Sequence, residues 1–341
     1  MRVGINGFGR IGRLALRAAL SENELAHGLE WVAINEPAGS NETLALLTEF
    51  DSQQGALGQS CAYDAEGLTV GGQRLVRTSE SEPGAIDWAR LGVDLVLECS
   101  GRFRTSALLE PHLERGAQAV LVSAPIADLE TNIVRGVNEQ AVDLAREPLL
   151  SAASCTTNCL APVVRVVHEA FGIERGSVTT IHDPTNTQEV HDLPQKDPRR
   201  SRSALVNLIP TSTNSATAVT RILPELAGKL DSLAVRAPVL NASLVDAVFQ
   251  VQRDVTVEEV NAALRSAAES DPLRGILGFE PRPLVSCDFA GNPLSGIVDG
   301  PSTRVIDKRL VKVLAWYDNE WGYANRLSEL AVRVATARGG R

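Results

Sequence analysis

Two cysteines stand four residues apart in the segment SAASCTTNCLAP, residues 151–162. Cys155 and Cys159 are surrounded by small and hydroxyl-bearing residues at the start of an apolar stretch. Four arrangements fit such a pair: a metal clip, a disulfide, two core thiols, or one thiol aimed at a substrate. A metal site usually needs paired Cys-x2-Cys elements or nearby histidines, and the segment has neither, so we predict no metal here.

The same segment predicts a helix that begins at Cys155. Ser154 is a suitable N-cap, apolar residues follow at helical spacing to about Phe171, and Gly172 ends the pattern. Cys155 then lies in the first turn, where the helix dipole and free N–H groups favour a thiolate. Cys159 lies one turn further along, and we predict a buried, inert thiol there.

A thiol nucleophile needs a base, and His182 is the candidate. A β-rich run in GSVTTIHDPTNTQ, residues 176–188, ends at His182, and the chain then turns polar. A lone histidine at a strand end is more often structural than catalytic, so its position alone leaves both roles open. His168 in the predicted helix and His191 in a polar loop have no obvious partner in the sequence.

Arginines and hydroxyl residues further along could bind anions. Arg199, Arg200 and Arg202 cluster before a Thr/Ser/Asn turn that opens a helix. Clustered arginines with helix-opening threonines are suited to phosphate recognition. Arg236 lies inside an otherwise apolar predicted strand, where it either forms a buried ion pair or reaches into a site.

The first residues carry a second kind of motif. RVGIN (2–6) reads as a strand, RLALRAAL (13–20) has helical spacing, and Gly7, Gly9 and Gly12 form G-x-G-x-x-G between them. The first glycine permits the tight turn, the second lets backbone approach a pyrophosphate, and the third allows close helix–strand packing. The motif in this context predicts a dinucleotide site.

Later strands are predicted to complete that site. Residues 31–35 read as the next strand and lead into Glu36, whose carboxylate can accept hydrogen bonds from ribose hydroxyls and so favours NAD over its 2′-phosphorylated relative. The alternative is that Glu36 is merely a solvated charge at a strand end. The runs 93–103 and 119–125 also read as parallel strands. The small residues at their ends would line the cofactor groove: Ser100, Gly101 and Ser123.

Composition bounds the class of protein. With 341 residues, 44% hydrophobic and 22% charged, the chain is ordinary for two tightly joined domains. A net charge of −9 argues against a nucleic-acid partner. We expect no signal peptide and no membrane partner, because no apolar run approaches the length of a membrane span. Five scattered cysteines fit a reducing cytoplasm rather than a disulfide framework.

Four motifs together resemble the glyceraldehyde-3-phosphate dehydrogenase family. They are GINGFGRIGR, SCTTNCLAP, the strand ending in His182, and WYDNEWGYANR (316–326), in family order along essentially the whole chain. The resemblance implies an α/β fold with a Rossmann NAD-binding domain (1–154, completed by a C-terminal helix at 320–341) and an α+β catalytic domain (155–319) with an antiparallel or mixed sheet. It also implies a homotetramer, in which the polar stretch after His182 packs beside a neighbour's cofactor.

The resemblance also implies roles for individual residues. Cys155 would attack the aldehyde of glyceraldehyde 3-phosphate, and His182 would activate it and assist as hydride leaves for NAD. The substrate's own phosphate would bind Thr185 and Arg236, and Leu193-Pro194 matches a pair associated with NAD preference. The residues matched to the attacking inorganic anion are Ser154, Thr156, Arg200 and Thr213, with the neighbouring Asn214. Those matched to NAD contacts are Arg10, Ile11, Glu36, Ser123 and Asn319.

Three positions depart from the usual glycolytic pattern. Ala152 stands where the family usually has Asn, and Asp183-Pro184 replaces Ala-Tyr after the base. Asn214 replaces a glycine, and we expect it to adopt the positive φ of that position, which Asn tolerates best after Gly. Asp183 adds negative charge near two expected anion pockets, so we expect it to pair with an arginine or to point away.

Together with longer segments such as INEPAGSNETLALLTEFDSQQG and KDPRRSRSALVNLIPTST, these departures make the chain similar to a narrower branch of the family. That branch contains the arsenate-resistance enzymes that partner an organoarsenical efflux permease. That likeness implies arsenate as the attacking oxyanion and 1-arseno-3-phosphoglycerate as a product for export. Since arsenate and phosphate are near-isosteres, a pocket discriminates weakly between them and we expect both to react. The alternatives are an ordinary glycolytic or gluconeogenic enzyme, an erythrose-4-phosphate dehydrogenase, and a catalytically silent NAD-binding regulator.

Overall fold

The computed structural model describes residues 1–21, 28–129, 132–185 and 188–339. Packing of the chain defines two units. The first contains Met1–Ile133, Asn138–Ser154 and Ala324–Arg341, and the second contains Val134–Val137 and Cys155–Tyr323. Within the described residues, no helix is both long and apolar enough to span a membrane.

The first unit is built on a twisted, mostly parallel sheet. Its strand order is β10-β9-β8-β1-β2-β7-β6-β5, and the six strands from β10 to β7 run parallel. Strands β5 and β6 extend this edge in antiparallel fashion. The elements in chain order are β1 (Arg2–Asn6), α1 (Arg10–Ser21), β2 (Glu30–Asn35), α2 (Asn41–Glu49), β3 (Phe50–Asp51), β4 (Gly55–Ala56), β5 (Cys61–Tyr63), β6 (Gly67–Val70), β7 (Gln73–Thr78), α3 (Trp88–Leu91), β8 (Leu95–Glu98), α4 (Ser106–Glu114), β9 (Ala119–Val122) and β10 (Leu149–Ser151).

The strand order identifies the Rossmann arrangement. The chain builds outward from β1 through β2 and β7 on one side, and through β8, β9 and β10 on the other. The order therefore reverses between β1 and β8, and the carboxyl ends of strands at such a switch point form the ligand crevice of doubly wound sheets. Both strands are almost wholly buried apolar runs, as expected for a sheet covered on both faces.

The second unit has a mixed sheet. Its order is β12-β13-β11-β14-β18-β16-β15, with β17 paired to β18. Burial alternates along β14, as it does in a strand with one buried face, and α5 packs on β14, β16 and β18. The elements are α5 (Cys155–Phe171), β11 (Ile173–His182), β12 (Ile209–Ser212), α6 (Ser215–Ile222), β13 (Leu230–Arg236), β14 (Ser243–Val251), α7 (Val257–Ala268), β15 (Leu277–Glu280), β16 (Gly296–Asp299), β17 (Arg304–Ile306) and β18 (Leu310–Tyr317).

The last helix, α8 (Trp321–Ala337), belongs to the first unit from Ala324 onward. Ser328 donates a hydrogen bond to the Ala15 carbonyl of α1 at 2.9 Å, which ties this C-terminal segment to the N-terminal fold. The helix predicted over 320–341 forms over Trp321–Ala337, and residues 340 and 341 lie outside the described residues. The fold class expected from the sequence is confirmed.

Candidate active site

Cys155 is the first residue of α5 and is only partly buried. The chain reaches it through Ala153, which has a positive φ of 56°, a conformation that costs a non-glycine residue about 1–3 kcal/mol. This backbone is held in place by hydrogen bonds, since Ala153 N donates to Ser151 Oγ at 3.0 Å and Ala152 N donates to the Val122 carbonyl at 3.0 Å. The sequence reasoning missed this strained approach to the helix.

The sheet of the second unit brings four side chains to one edge. His182 ends β11 and is in register with Arg236, the last residue of the parallel strand β13. Ser243 begins the antiparallel strand β14 and is in register with Tyr317 at the end of β18. Because β14 runs opposite to β11 and β18, its first residue shares an edge with their last residues. Arg236 thus ends its strand, whereas the sequence placed it inside one.

Cys155 and His182 meet at this edge. The Cys155 Sγ atom lies 3.6 Å from His182 Nε2, within hydrogen-bonding distance for sulfur. His182 is buried, and the Tyr317 ring packs edge-on against it at 6.0 Å between ring centres. The structure therefore brings together the thiol and the imidazole that the sequence proposed as nucleophile and base.

Electrostatics favour a charged imidazole at this position. Burial lowers the pKa of His182, but the hydrogen bonds to Asp183 and Cys155 and the charges of both groups outweigh it and raise the pKa to about 9. An imidazolium beside sulfur stabilises the thiolate form. Two other thiols differ, since burial raises the pKa of Cys99 to about 12 and also raises that of Cys159, which is fully buried as predicted.

Asp183 has an arrangement that the sequence did not anticipate. Its carboxylate neither pairs with an arginine nor points into solvent. It lies 2.6 Å from His182 Nδ1 and accepts hydrogen bonds from Ser243 Oγ and Asn319 Nδ2. Arg236 donates instead to the Asp183 backbone carbonyl at 2.9 Å. The negative charge of Asp183 therefore lies next to the imidazole of His182.

Two arginines, Arg236 and Arg200, are the cationic candidates for binding an anion near Cys155 and His182. Burial lowers the pKa of Arg236, which also feels the charges of Cys155, Asp183 and Arg200. Arg236 thus places a positive charge near the thiol, and Arg200 is close enough to Arg236 for its charge to act on it, which suits an anion site. Arg200 donates to Thr211 Oγ1 at 2.8 Å, a neighbour the sequence reasoning did not identify.

The remaining anion-binding candidates lie at helix starts and in the loop after β11. The Thr156 hydroxyl is buried against Tyr317 Oη at 2.9 Å, so its side chain is already engaged. Thr213 Oγ1 contacts Ser215 Oγ at 2.7 Å at the start of α6, and within the described residues it makes no hydrogen bond to Cys155. Ser154 immediately precedes α5, and the Thr185 carbonyl accepts a hydrogen bond from Gln188 N.

One backbone prediction at this site is wrong. Asn214 has φ −101° and ψ 18° and stands at the N-cap of α6. The turn therefore needs no left-handed residue in this chain, and the replacement of glycine carries no conformational strain.

The glycine motif of the first unit has the geometry its spacing predicts. Gly7 has φ +87°, and a Cβ there would lie 2.4 Å from the backbone N and Cα of Ser100. A Cβ on Gly12 would lie 2.4 Å from the Gly7 carbonyl oxygen. A Cβ on Gly9 would meet no atom within 4 Å, so the open space at the N-terminus of α1 lies over this glycine. These are the conditions for a pyrophosphate to approach the backbone.

Neighbouring side chains shape the same crevice. Arg10 forms an ion pair with Asp51, and Ile11 follows it in the first turn of α1. Glu36 follows β2, and its carboxylate accepts a hydrogen bond from Ala38 N at 3.0 Å. Arg77 fixes this loop by donating to the Glu36 carbonyl, a support that the sequence reasoning missed.

The other cofactor candidates have partners of their own. Ser100 donates to the carboxylate of Glu98, which is buried at the end of β8 and also contacts His112 Nε2 at 3.1 Å. Ser123 follows β9, where its N–H donates to the Glu98 carbonyl. Asn319, in the second unit, contacts Asp183 and Ser243. The crevice residues of the first unit fit a dinucleotide, with Gly9 as the point of closest approach.

A dinucleotide-binding Rossmann sheet, joined in sequence to a unit with a histidine-paired thiol, defines an NAD-dependent dehydrogenase that can form a covalent thiol intermediate. Two family profiles match the chain. The one described as "Glyceraldehyde 3-phosphate dehydrogenase, NAD binding domain" covers residues 1–106, and the one described as "Glyceraldehyde 3-phosphate dehydrogenase, C-terminal domain" covers residues 154–319. The chain belongs to the glyceraldehyde-3-phosphate dehydrogenase family.

The relatives similar to this chain match it over almost its whole length. Glyceraldehyde-3-phosphate dehydrogenase 3 of Nostoc sp. (strain PCC 7120 / SAG 25.82 / UTEX 2576) is 54% identical over 335 residues, 98% of each chain. Glyceraldehyde-3-phosphate dehydrogenase 1 of Bacillus subtilis (strain 168) is 48% identical over 335 residues, again 98% of each chain. Glyceraldehyde-3-phosphate dehydrogenase of Geobacillus stearothermophilus is 47% identical over 336 residues with the same coverage.

Proposed function

We propose that this enzyme oxidises glyceraldehyde 3-phosphate with NAD and transfers the acyl group to an inorganic oxyanion. The observation that carries the proposal is the 3.6 Å distance between Cys155 Sγ and His182 Nε2. Both residues lie within the matched C-terminal domain of the family. A silent NAD-binding regulator has no chemical need for a thiol paired with a buried imidazole, so the pair supports an enzyme.

The proposed chemistry begins at Cys155. Its thiolate attacks the aldehyde carbon, and the imidazolium of His182 gives its proton to the carbonyl oxygen, which yields a thiohemiacetal. NAD, when bound, would supply the hydride acceptor for oxidation of the former aldehyde carbon. His182 takes the hydroxyl proton back as the thioester forms. The oxyanion then attacks the thioester carbon, and Cys155 leaves as a thiolate that the imidazolium again stabilises.

Substrate binding follows from the cations near the thiol. We assign the substrate's phosphate to Arg236 and Thr185. The partial burial of Arg236 and its charge interaction with Cys155 support this assignment, because a guanidinium binds phosphate most strongly where water is partly excluded. The residues proposed for the attacking anion are Ser154, Thr156, Arg200, Thr213 and Asn214. For Thr156, the proposed donor is the backbone N–H in the first turn of α5, since its hydroxyl is engaged with Tyr317.

We assign NAD to the crevice of the first unit. The proposed NAD-binding domain comprises residues 1–154 and is completed by residues 320–341, and the proposed catalytic domain comprises residues 155–319. The open space over Gly9 and the carboxylate of Glu36 support this assignment. Leu193-Pro194 is proposed to favour NAD over NADP. The other proposed contacts are Gly7, Arg10, Ile11, Gly12, Ser100, Ser123 and Asn319.

Arsenate is the second oxyanion that we propose. The named relatives support ordinary phosphorylation more than an arsenate-specific role, because all three are named only as glyceraldehyde-3-phosphate dehydrogenases. The near-identical charge and shape of the two anions supports reaction with both. A role in arsenate resistance, with 1-arseno-3-phosphoglycerate passed to an efflux permease, rests on the likeness of the sequence to that branch, at Ala152, Asp183-Pro184 and Asn214 and along the longer segments quoted above.

NADH absorbance in steady state tests these proposals. We expect turnover of glyceraldehyde 3-phosphate with phosphate and with arsenate, and loss of turnover in Cys155→Ser. Turnover with phosphate but none with arsenate would refute the arsenate proposal. A clear preference for erythrose 4-phosphate would refute the proposed substrate. NAD binding without turnover of either aldehyde would refute the enzyme and favour a silent NAD-binding regulator.

We further propose a cytoplasmic homotetramer. All five cysteines are free thiols, which supports a reducing compartment. Exposed apolar side chains gather in the segment after His182 and support burial by a neighbouring subunit: Val190, Leu193, Leu205, Val206 and Leu208. Light scattering at several protein concentrations tests the assembly, and a monomer at all of them would refute it.

A further inference from the structure

Asp183 is a buried charge placed directly beside the proposed base. Its side chain is almost inaccessible, with the residue 1% exposed. Burying a carboxylate is costly unless every oxygen finds a donor or a positive partner. Asp183 meets that condition, because Oδ1 accepts a hydrogen bond from Ser243 Oγ at 3.2 Å and Oδ2 accepts one from Asn319 Nδ2 at 3.1 Å.

The third partner of this carboxylate is His182, whose Nδ1 lies 2.6 Å from Asp183 Oδ1. The Asp183 carbonyl oxygen also lies 2.8 Å from Nδ1. Two acceptors at one ring nitrogen place a proton on Nδ1, and that proton turns the other nitrogen, Nε2, toward Cys155 Sγ.

Arg236 raises a competing possibility. Its Nη1 atom lies 2.8 Å from the same His182 Nδ1, and a guanidinium can only donate. It cannot donate to a nitrogen that already carries a proton. The same Nη1 atom has the Asp183 carbonyl as acceptor at 2.9 Å, so Arg236 keeps a partner when Nδ1 is protonated. The Asp183 carboxylate is negative and lies closer to Nδ1 than Arg236 Nη1 does, at 2.6 Å against 2.8 Å, so it favours a protonated Nδ1.

The backbone limits where Asp183 can place this charge. Pro184 follows it and disfavours the helical region for Asp183, which keeps the chain extended after β11. Asp183 N in turn donates to Ser243 Oγ at 3.3 Å. The position of the carboxylate is thus fixed by the extended backbone of Asp183 and by the hydrogen bonds to Ser243 on β14.

We propose that Asp183 is a positioning residue that completes a Cys155–His182–Asp183 triad; this rests on the proposed function of Cys155 and His182. The carboxylate fixes the ring orientation and the Nδ1 proton of His182. It also stabilises the imidazolium that pairs with the thiolate and that forms again when the thiohemiacetal loses its proton. The charged or titratable groups that face His182 are Cys155 from α5, Arg236 from β13, Tyr317 from β18 and Asp183 itself.

The test uses Asp183→Asn, which keeps the shape and removes the charge, and Asp183→Ala as a second variant. Asp246→Asn is the matched control, because Asp246 is a partly buried carboxylate on β14 that pairs with Lys312 instead. Circular dichroism checks folding of all three. One readout is the titration of the His182 ring by NMR with isotope-labelled histidine, assigned by the signal that His182→Asn removes. The other is kcat and KM from NADH formation.

We expect the wild-type ring to titrate near pH 9 and the ring in both Asp183 variants to titrate at least about one pH unit lower, because the carboxylate no longer favours the charged form. We expect kcat to fall about 100-fold, as a misplaced catalytic group typically causes, with KM for the aldehyde changed far less. Asp246→Asn should match wild type in both.

Two results would overturn the proposal. One is wild-type kcat in either folded Asp183 variant. The other is a lower kcat with an unshifted titration, which would make Asp183 only a packing residue. Failure of the proposed function gives a different result, since wild-type enzyme would then form no NADH while the titration still reports on Asp183.

Discussion

Gly7 and Gly9 lie two residues apart, yet an added methyl group should mainly lower stability at Gly7 and mainly weaken NAD binding at Gly9. In Gly7→Ala the new Cβ would lie 2.4 Å from two backbone atoms of Ser100, on a backbone with φ +87°. The left-handed conformation costs an L-residue about 1–2 kcal/mol, and relieving the overlap by moving the end of β8 costs about 1–3 kcal/mol. We therefore expect Gly7→Ala to lower the free energy of unfolding by roughly 2–5 kcal/mol.

Gly9→Ala is the matched control for stability and the test for binding. Its Cβ meets no atom within 4 Å, so the only folding cost is that of a poorer N-cap, about 1 kcal/mol or less. The methyl group would nevertheless occupy the space proposed for the pyrophosphate. We expect the dissociation constant for NAD to rise at least about tenfold, which is about 1.4 kcal/mol of binding free energy.

Urea denaturation measures the first quantity, and NAD titration followed by protein fluorescence measures the second. Wild-type stability in Gly7→Ala would contradict the contact with Ser100. Wild-type NAD affinity in Gly9→Ala would contradict the placement of the cofactor over this glycine.

Three further predictions concern the thiol and its neighbours. Cys155→Ser should abolish rapid alkylation by iodoacetamide and Cys287→Ser should not, because Cys287 is exposed but Cys155 alone contacts His182; mass spectrometry of the labelled peptides checks this, and fast labelling that persists in Cys155→Ser would refute it. The His182 ring should titrate below pH 9 in Cys155→Ser, because the thiolate is one of the groups that raise its pKa, and an unchanged NMR midpoint would refute the ion pair. Asp183→Ala should slow turnover with phosphate and with arsenate by the same factor within about twofold, because its carboxylate faces His182, and a loss confined to one oxyanion in steady-state assays would show that Asp183 tunes the anion site.

The sequence predicted the elements whose ends carry local signals. Strand β1 (Arg2–Asn6) and helix α5 (Cys155–Phe171) form as predicted, since an apolar run meets a glycine turn in one case and a glycine with φ +71° ends the helix in the other. Strand β8 is shorter than the predicted run 93–103, because the chain turns at Gly101, which also has a φ of +71°. Local patterns thus locate elements well when a turn residue marks their ends.

The contacts of Asp183 could not be predicted from local sequence patterns. Its partners Ser243 and Asn319 lie 60 and 136 residues away in sequence, and only the register of β11, β14 and β18 brings them together. The same holds for Tyr317, which packs against both Thr156 and His182. The error at Asn214 has the opposite origin, since the expected positive φ came from the usual glycine of the family and the turn in this chain does without it.

In the proposed mechanism Cys155 forms the covalent bond to the aldehyde carbon while His182 moves the proton. Mixing the enzyme with glyceraldehyde 3-phosphate and NAD, with no phosphate or arsenate present, should stop the reaction at the thioester. We expect NADH equal in amount to the number of sites and a phosphoglyceroyl group on the Cys155 peptide in mass spectrometry. The group should be absent in Cys155→Ser and should form far more slowly in His182→Asn. An acyl group on any other residue, or NADH formation that continues undiminished in Cys155→Ser, would contradict this mechanism.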